Sequence, residues 1–195
     1  MSQPELRQMS EQVVYAGKIG EVIHTIQPDG RVFERYRRPP GVRIIAVTPE
    51  GKILMTREHR QETGGYDLRL PGGKVCDSLS EYHQLLASGQ SVEQAAIEAA
   101  RKEGRQEIGI DITESHQITN ATDVATVEWD LRYIMVDRYD SSPNGQELEL
   151  GEDITVVALS PAEVRQAIAD GDMQEWRSVG VMLAVVLPQL EAKPL

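Results

Sequence analysis

Cysteine, aromatic residues and positive charge are all scarce in this chain, and each scarcity removes a class of answer. A single cysteine, Cys76, excludes an intrachain disulfide framework and fits a reduced compartment, so a cytoplasmic protein is expected. Lysine and arginine number 20 against 31 aspartates and glutamates, a net charge of −11. Such an acidic surface does not suit nucleic acid or an anionic membrane as the main partner, since both demand basic faces. It leaves room for a small anionic substrate, because a bound cation reverses the field locally. No apolar run reaches the ~18 residues of a membrane span, and the first twelve residues lack a signal-peptide pattern. With 195 residues and 40% hydrophobic content, one main domain with a full core is expected.

What is present centres on residues 91–110, SVEQAAIEAARKEGRQEIGI. Ser91 and Gln94 have the S-x-x-Q spacing of a capping box, and Gly109 is a common helix stop. The alanines and charged residues between them favour helix, which predicts one helix over about 92–108. At ~100° per residue, Ile97, Ala100, Gly104 and Ile108 share a core-facing stripe; Glu103 and Glu107 lie together at its edge. Two carboxylates half inside a core are costly unless a cation sits between them. A doubly anionic, oxygen-only pair suits Mg²⁺ or Mn²⁺, which keep several waters and accept substrate phosphates as further ligands. The alternative is a solvated acidic helix edge.

The remaining chain alternates strand-like runs with turn residues. VVYAGKI, EVIHTIQ and RVFERYR between Gln12 and Arg38 form an antiparallel β-meander, with a turn at Pro28-Asp29-Gly30. Pro39-Pro40-Gly41 marks a boundary, followed by strands over 42–47 and 52–60 and a loop over 61–69. Ser78-x-x-Glu81, an apolar face including Leu79 and Leu86, and Gly89 predict a short helix before the central one. Strands are expected near 112–120, 124–139 and 155–159, with an acidic loop over 141–150. Ser160-Pro161 starts a helix that ends at Gly171, and an apolar helix runs from Trp176 to Leu190, its tryptophan expected in the core.

Residues 99–110, AARKEGRQEIGI, resemble the second half of the Nudix box, G-x5-E-x7-R-E-U-x-E-E-x-G-U with U aliphatic. Lys102 stands at the arginine place, Glu103 at the following glutamate, Gly104 at the aliphatic place, and Gln106 and Glu107 at the paired glutamates. Leu70-Pro71-Gly72-Gly73-Lys74 resembles the glycine turn at the start of the motif. From Gly73 to Lys102 is 29 positions where the pattern has 14, an insertion of 15, and Gln94 replaces the isolated glutamate.

The ADP-ribose pyrophosphatase subgroup gives further resemblances. Arg57 and Arg60 are similar to its R-Q-x-R segment, Gly151-Glu152-Asp153-Ile154 to its last-strand approach, and residues 1–40 to its dimer-forming N-terminal sheet. The resemblance implies a Nudix-fold α/β/α sandwich with a mixed sheet over 41–195, preceded by a meander that dimerises the chain. It implies Mg²⁺ or Mn²⁺ held by the Gly72 carbonyl, Glu103, Glu107 and Glu152. Glu152 or Glu149 would activate water, with Glu107 also in the catalytic set. Arg57 and Arg60 would bind substrate, and for either one a surface ion pair with Glu58 or Glu62 is the alternative. The implied activity is metal-dependent hydrolysis of the pyrophosphate bond in a nucleoside diphosphate linked to another group. ADP-ribose, giving AMP and ribose 5-phosphate, is the expected substrate. Its rival is a nucleotide-binding or regulatory module of the same fold with little or no turnover.

Overall fold

Strand formation follows the apolar runs closely. The computed structural model describes residues 9–60, 64–122 and 126–192. One sheet has the order β4-β9-β7: β4 (Gly41–Ile45) runs parallel to β9 (Leu131–Ser141), which pairs antiparallel with β7 (Ile110–Ala121). A second sheet has the order β10-β5-β6, antiparallel throughout, from β5 (Ile53–Arg60), β6 (Gly65–Arg69) and β10 (Ile154–Leu159). The glycine-led segment at 65–69 is thus a strand rather than loop. Its Asp67 and Leu68 are buried, and its backbone completes the edge of β5.

Helices cover the sheets on two sides, and the result is the mixed α/β architecture expected. Helix α2 (Val92–Ile108) buries Ala96, Ala100 and Ile108 against Val42, Ile44 and Ile134. Full burial contributes ~1.5–3 kcal/mol for each valine or isoleucine and nearer ~0.8 kcal/mol for an alanine methyl. Gly104 is the close-contact point: an added Cβ would lie 2.9 Å from Ile112 Cδ1. A second cluster joins Ile53, Met55 and Tyr133 to Met182, Val186 and Leu187 from the C-terminal helices. Helix α3 (Pro161–Asp170) has the full reciprocal capping box between Ser160 and Glu163 and ends at Gly171 in the left-handed region.

Two expectations about the C-terminal run need correction. The run is not one α-helix: α4 (Trp176–Val181) passes into a π-helical turn, Met182–Val186, and then α5 (Leu187–Glu191). Pro188 has no N–H to return to the preceding turn and its ring crowds it, which accounts for the widened turn. Trp176 is not core either. It is 74% exposed, because the buried face begins only at Ser178 and Val179.

The N-terminal meander forms a sheet of order β1-β2-β3-β8 from β1 (Ser10–Ala16), β2 (Glu21–Ile26), β3 (Val32–Arg37) and β8 (Val127–Glu128). Strand β8 runs parallel to β3 through Tyr36 and Val127. The expected strand near 124–139 is therefore divided: 123–125 lie outside the described residues, and β9 begins at Leu131. The short helix expected before the central one is α1 (Leu79–Ser88), capped by Ser78 and closed by Gly89 as its sequence predicted. Helix α1 is fastened to the N-terminal sheet, with Leu79 N–H donating to the Lys18 carbonyl at 3.0 Å. His83 Nε2 lies 3.2 Å from the buried Glu21 carboxylate, which Arg37 also holds. Among the described residues, no helix is long and apolar enough to cross a membrane.

Candidate functional site

The turn between β6 and α1 joins the two halves of the site. Ile44 N–H donates to the Pro71 carbonyl at 2.8 Å and Val42 N–H to the Gly73 carbonyl at 2.9 Å, so β4 clamps both ends of the turn. Gly72 has φ +149°, and a Cβ there would collide with the Val42 carbonyl group. Its N–H donates to Glu107 Oε2 at 2.7 Å. No hydrogen bond engages the Gly72 carbonyl among the described residues, which leaves that oxygen available to a cation. A side chain at Gly73 would occupy the place of the Glu103 carboxylate, so the second glycine makes room for the second acid.

Helix α2 thus delivers both acids of its E-x-x-x-E pair to one glycine turn. Glu107 is only 8% exposed. Burial pushes its carboxyl up to about 8; the Gly72 hydrogen bond and the Arg43 charge oppose this, and the negative charges of Glu103 and Glu58 add to it. Glu103 is also raised, first by burial and then by Glu152, Glu149 and Asp77, with Lys102 opposing. A buried carboxyl beside a half-buried one, both shifted up by burial and mutual repulsion, is the electrostatic environment that a divalent cation relieves.

The acidic loop is positioned by bonds to the end of α2. Ser142 N–H donates to the Gly109 carbonyl at 2.8 Å, Glu147 N–H to Gln106 at 3.0 Å, and the Gln146 amide to the Glu107 carbonyl at 2.6 Å. Glu149 N–H donates to Glu152 Oε2 at 2.8 Å, and both glutamates are exposed. Their charges reach Glu103, so the loop faces the helix pair. Even so, the described residues contain no group of three or more His, Cys, Asp or Glu side chains gathered closely enough to cage a metal. The groups that could hold a cation here are the Glu103 and Glu107 carboxylates and the Gly72 carbonyl; Glu152 influences Glu103 through its charge and is not gathered with the pair. Mg²⁺ tolerates such a partial set because waters and substrate oxygens complete its shell.

Beyond the glycine turn lies a cleft of about 620 Å³. Arg38, Arg43, Arg60, Arg69 and Lys74 line it against two carboxylates, Asp67 and Glu175. Arg60 thus faces the cleft and also pairs with Glu58 at 3.0 Å, while the other expected partner, Glu62, lies outside the described residues. Arg57 is exposed on β5 and does not line the cleft. Trp129 sits between two guanidinium groups, Arg38 and Arg177, each 4.2 Å from the ring. The exposed Trp176 stands at this cleft's wall. A larger cleft, about 780 Å³, runs between His116, Asp137, Ser160 and Gln189 and contains none of the candidate residues.

Sequence reasoning did not single out Arg38, Arg43, Arg69, Trp129 or Gln146. Arg43 did carry a signal, a charged residue inside the apolar run VRIIAV. The others are brought to the cleft by tertiary pairing alone.

The family model described as NUDIX domain matches residues 37–191. No curated protein matches the sequence. Among solved structures the chain is similar to the crystal structure of an ADP compounds hydrolase, with TM-score 0.65 and 18% sequence identity. That similarity covers 96% of this chain and 95% of the other. At that identity it establishes a shared fold.

Proposed function

The chain belongs to the Nudix family and is a Nudix-type hydrolase, and from this premise we propose that it cleaves the pyrophosphate bond of a nucleoside diphosphate linked to another group. The observation that carries the reading is the shared glycine turn. One side holds the Glu103 and Glu107 carboxylates and the other opens into the arginine-lined cleft. A diphosphate lying across the turn meets a cation site and a cationic cleft together.

Glu103, Glu107, the Gly72 carbonyl and Glu152 would hold Mg²⁺ or Mn²⁺, which when bound neutralises phosphate oxygens and acidifies water. The chain's own residues then position the substrate. Arg60 and its cleft neighbours donate to phosphate oxygens, and the stapled loop brings Glu152 and Glu149 near enough for their charges to act on Glu103. A cation held here would favour the ionised form of the raised Glu107 carboxyl, a coupling built into the site's burial. We assign to Glu152 the orienting of the attacking water, with Glu149 the second candidate. ADP-ribose is the proposed substrate, yielding AMP and ribose 5-phosphate; the structural neighbour acts on ADP compounds, which supports this choice.

A homodimer formed through the N-terminal sheet is part of the same reading. Every residue of β1 is exposed, including Val13, Val14 and Tyr15, and Val32 and Phe33 of β3 are more than half exposed. An apolar strand with both faces open is a pairing surface.

A second reading, a nucleotide-binding module with little turnover, draws on the lack of a preformed three-carboxylate cage among the described residues. The test between them is AMP release from ADP-ribose and a panel of nucleotide sugars, over a range of Mg²⁺ and Mn²⁺ concentrations. Metal-dependent release is expected. Nucleotide binding by calorimetry without release from any substrate would establish the module instead.

A further inference from the structure

Strand β4 is buried at all five positions, yet its central residue is an arginine. Arg43 is 7% exposed, and the part that remains accessible lines the cleft. A desolvated guanidinium is costly unless its donors are used. Among the described residues, Arg43 makes one side-chain hydrogen bond, from Nη1 to the Val42 carbonyl at 3.0 Å, and no carboxylate lies within ion-pair distance. Glu175 lowers the electrostatic cost but is already engaged, by Ser178 N–H at 3.0 Å and Arg177 Nε at 3.2 Å.

The shortage of acceptors extends around the cleft. Arg38 Nε, Arg60 Nε and Trp129 Nε1 are all buried without a hydrogen-bond partner among the described residues, and all three residues line this same cavity. Each unmet group is a donor. The wall of the cleft therefore holds more donors than acceptors, which favours an acceptor-rich anion over a neutral or cationic ligand. Arg43 is also placed by the backbone next to the chemistry, since its neighbours Val42 and Ile44 receive the two ends of the Gly72 turn.

We propose that Arg43 is a specificity-determining residue that binds a phosphate group of the substrate from the buried floor of the cleft. This rests on the pyrophosphatase reading and adds to it a guanidinium fork that no motif assigns. Its planar donors suit two phosphate oxygens at once, which a lysine cannot match. A purely structural Arg43, present only as a counter-charge for Glu175 and Glu107, would leave phosphate affinity alone.

The experiment is calorimetric titration of inorganic pyrophosphate into the full chain with a chelator present, so that no divalent ion contributes. Wild type is expected to bind, Arg43→Met to bind about tenfold or more weakly, and Arg43→Lys to fall between them. In steady state with metal, Arg43→Met should raise KM for the nucleotide substrate more than it lowers kcat. Pyrophosphate affinity equal to wild type in folded Arg43→Met overturns the proposal, as does a wild type that binds none. If Arg43→Met does not fold, Arg43→Lys decides: affinity unchanged from wild type overturns it. Glu107→Gln, assayed for turnover alongside, separates the two layers. Full turnover in Glu107→Gln would sink the carboxylate reading and leave Arg43 standing, whereas lost turnover there with unchanged pyrophosphate binding in Arg43→Met would do the reverse.

Discussion

Replacing Glu107 with glutamine should make the metal-free protein more stable in alkaline solution. Burial holds the Glu107 carboxyl at about 8 against an ordinary 4.5. The folded state therefore binds more protons than the unfolded chain between those values, and linkage makes stability fall as pH rises through that window. The gap corresponds to ~5 kcal/mol once pH exceeds about 8. Halving this for relaxation and residual hydration leaves ~2–3 kcal/mol. Glutamine keeps an oxygen to accept from Gly72 N–H and carries no charge to desolvate, so it does not incur that loss. For a domain of this size the difference is ~5–10 °C in Tm. Thermal melts with chelator at pH 5.5, 7 and 8.5 should show the wild-type curve dropping relative to the variant as pH rises. Adding Mg²⁺ at pH 8.5 should then raise the wild type and leave the glutamine variant unmoved. Parallel pH curves for the two proteins would refute the buried-carboxylate argument.

Other consequences are equally direct. Gly104→Ala should gain ~1 kcal/mol of helix propensity, reduced because the methyl displaces the Cδ1 end of Ile112, and Ile112→Val should restore the full gain in a double-mutant melt. Gly72→Ala should destabilise the protein and abolish turnover, since the added methyl strikes the Val42 carbonyl; circular dichroism and AMP release measure the two effects. Tyr15→Lys with Phe33→Lys should convert a dimer to a monomer of unchanged secondary structure, read by sedimentation velocity. Trp176→Ala should leave Tm within about 1 °C, as expected for an exposed side chain, while raising KM if the ring contacts substrate.

The parts of the fold that the sequence made legible are those with local signals. Helix α2 lies over 92–108 as read, because Ser91, the alanine-rich body and Gly109 each act within a turn of their own position. Helix α1 and its caps were equally legible, from Ser78 and Gly89. Where Trp176 would sit was not, since a tryptophan at the head of an apolar run gives no sign that burial starts two residues later. The π turn needed the combination of Pro188 with packed neighbours on both sides. Glu103 and Glu107 could be placed together from spacing alone, because i and i+4 share a helix face. The basic cleft could not. Arg38, Arg43, Arg69 and Trp129 come from separate strands and connecting segments, and only sheet pairing and chain return bring them to one cavity. Gln146, which staples the acidic loop to the Glu107 carbonyl, has no sequence signature at all.

Glu107 and Glu103 are proposed to hold the cation through which this Nudix hydrolase works. The most direct test is AMP release from ADP-ribose by wild type and Glu107→Gln across a Mg²⁺ titration. Saturable metal dependence is expected in the wild type, and loss of turnover in a fully folded variant. Full turnover by folded Glu107→Gln, with the same metal dependence, would contradict the proposed metal site.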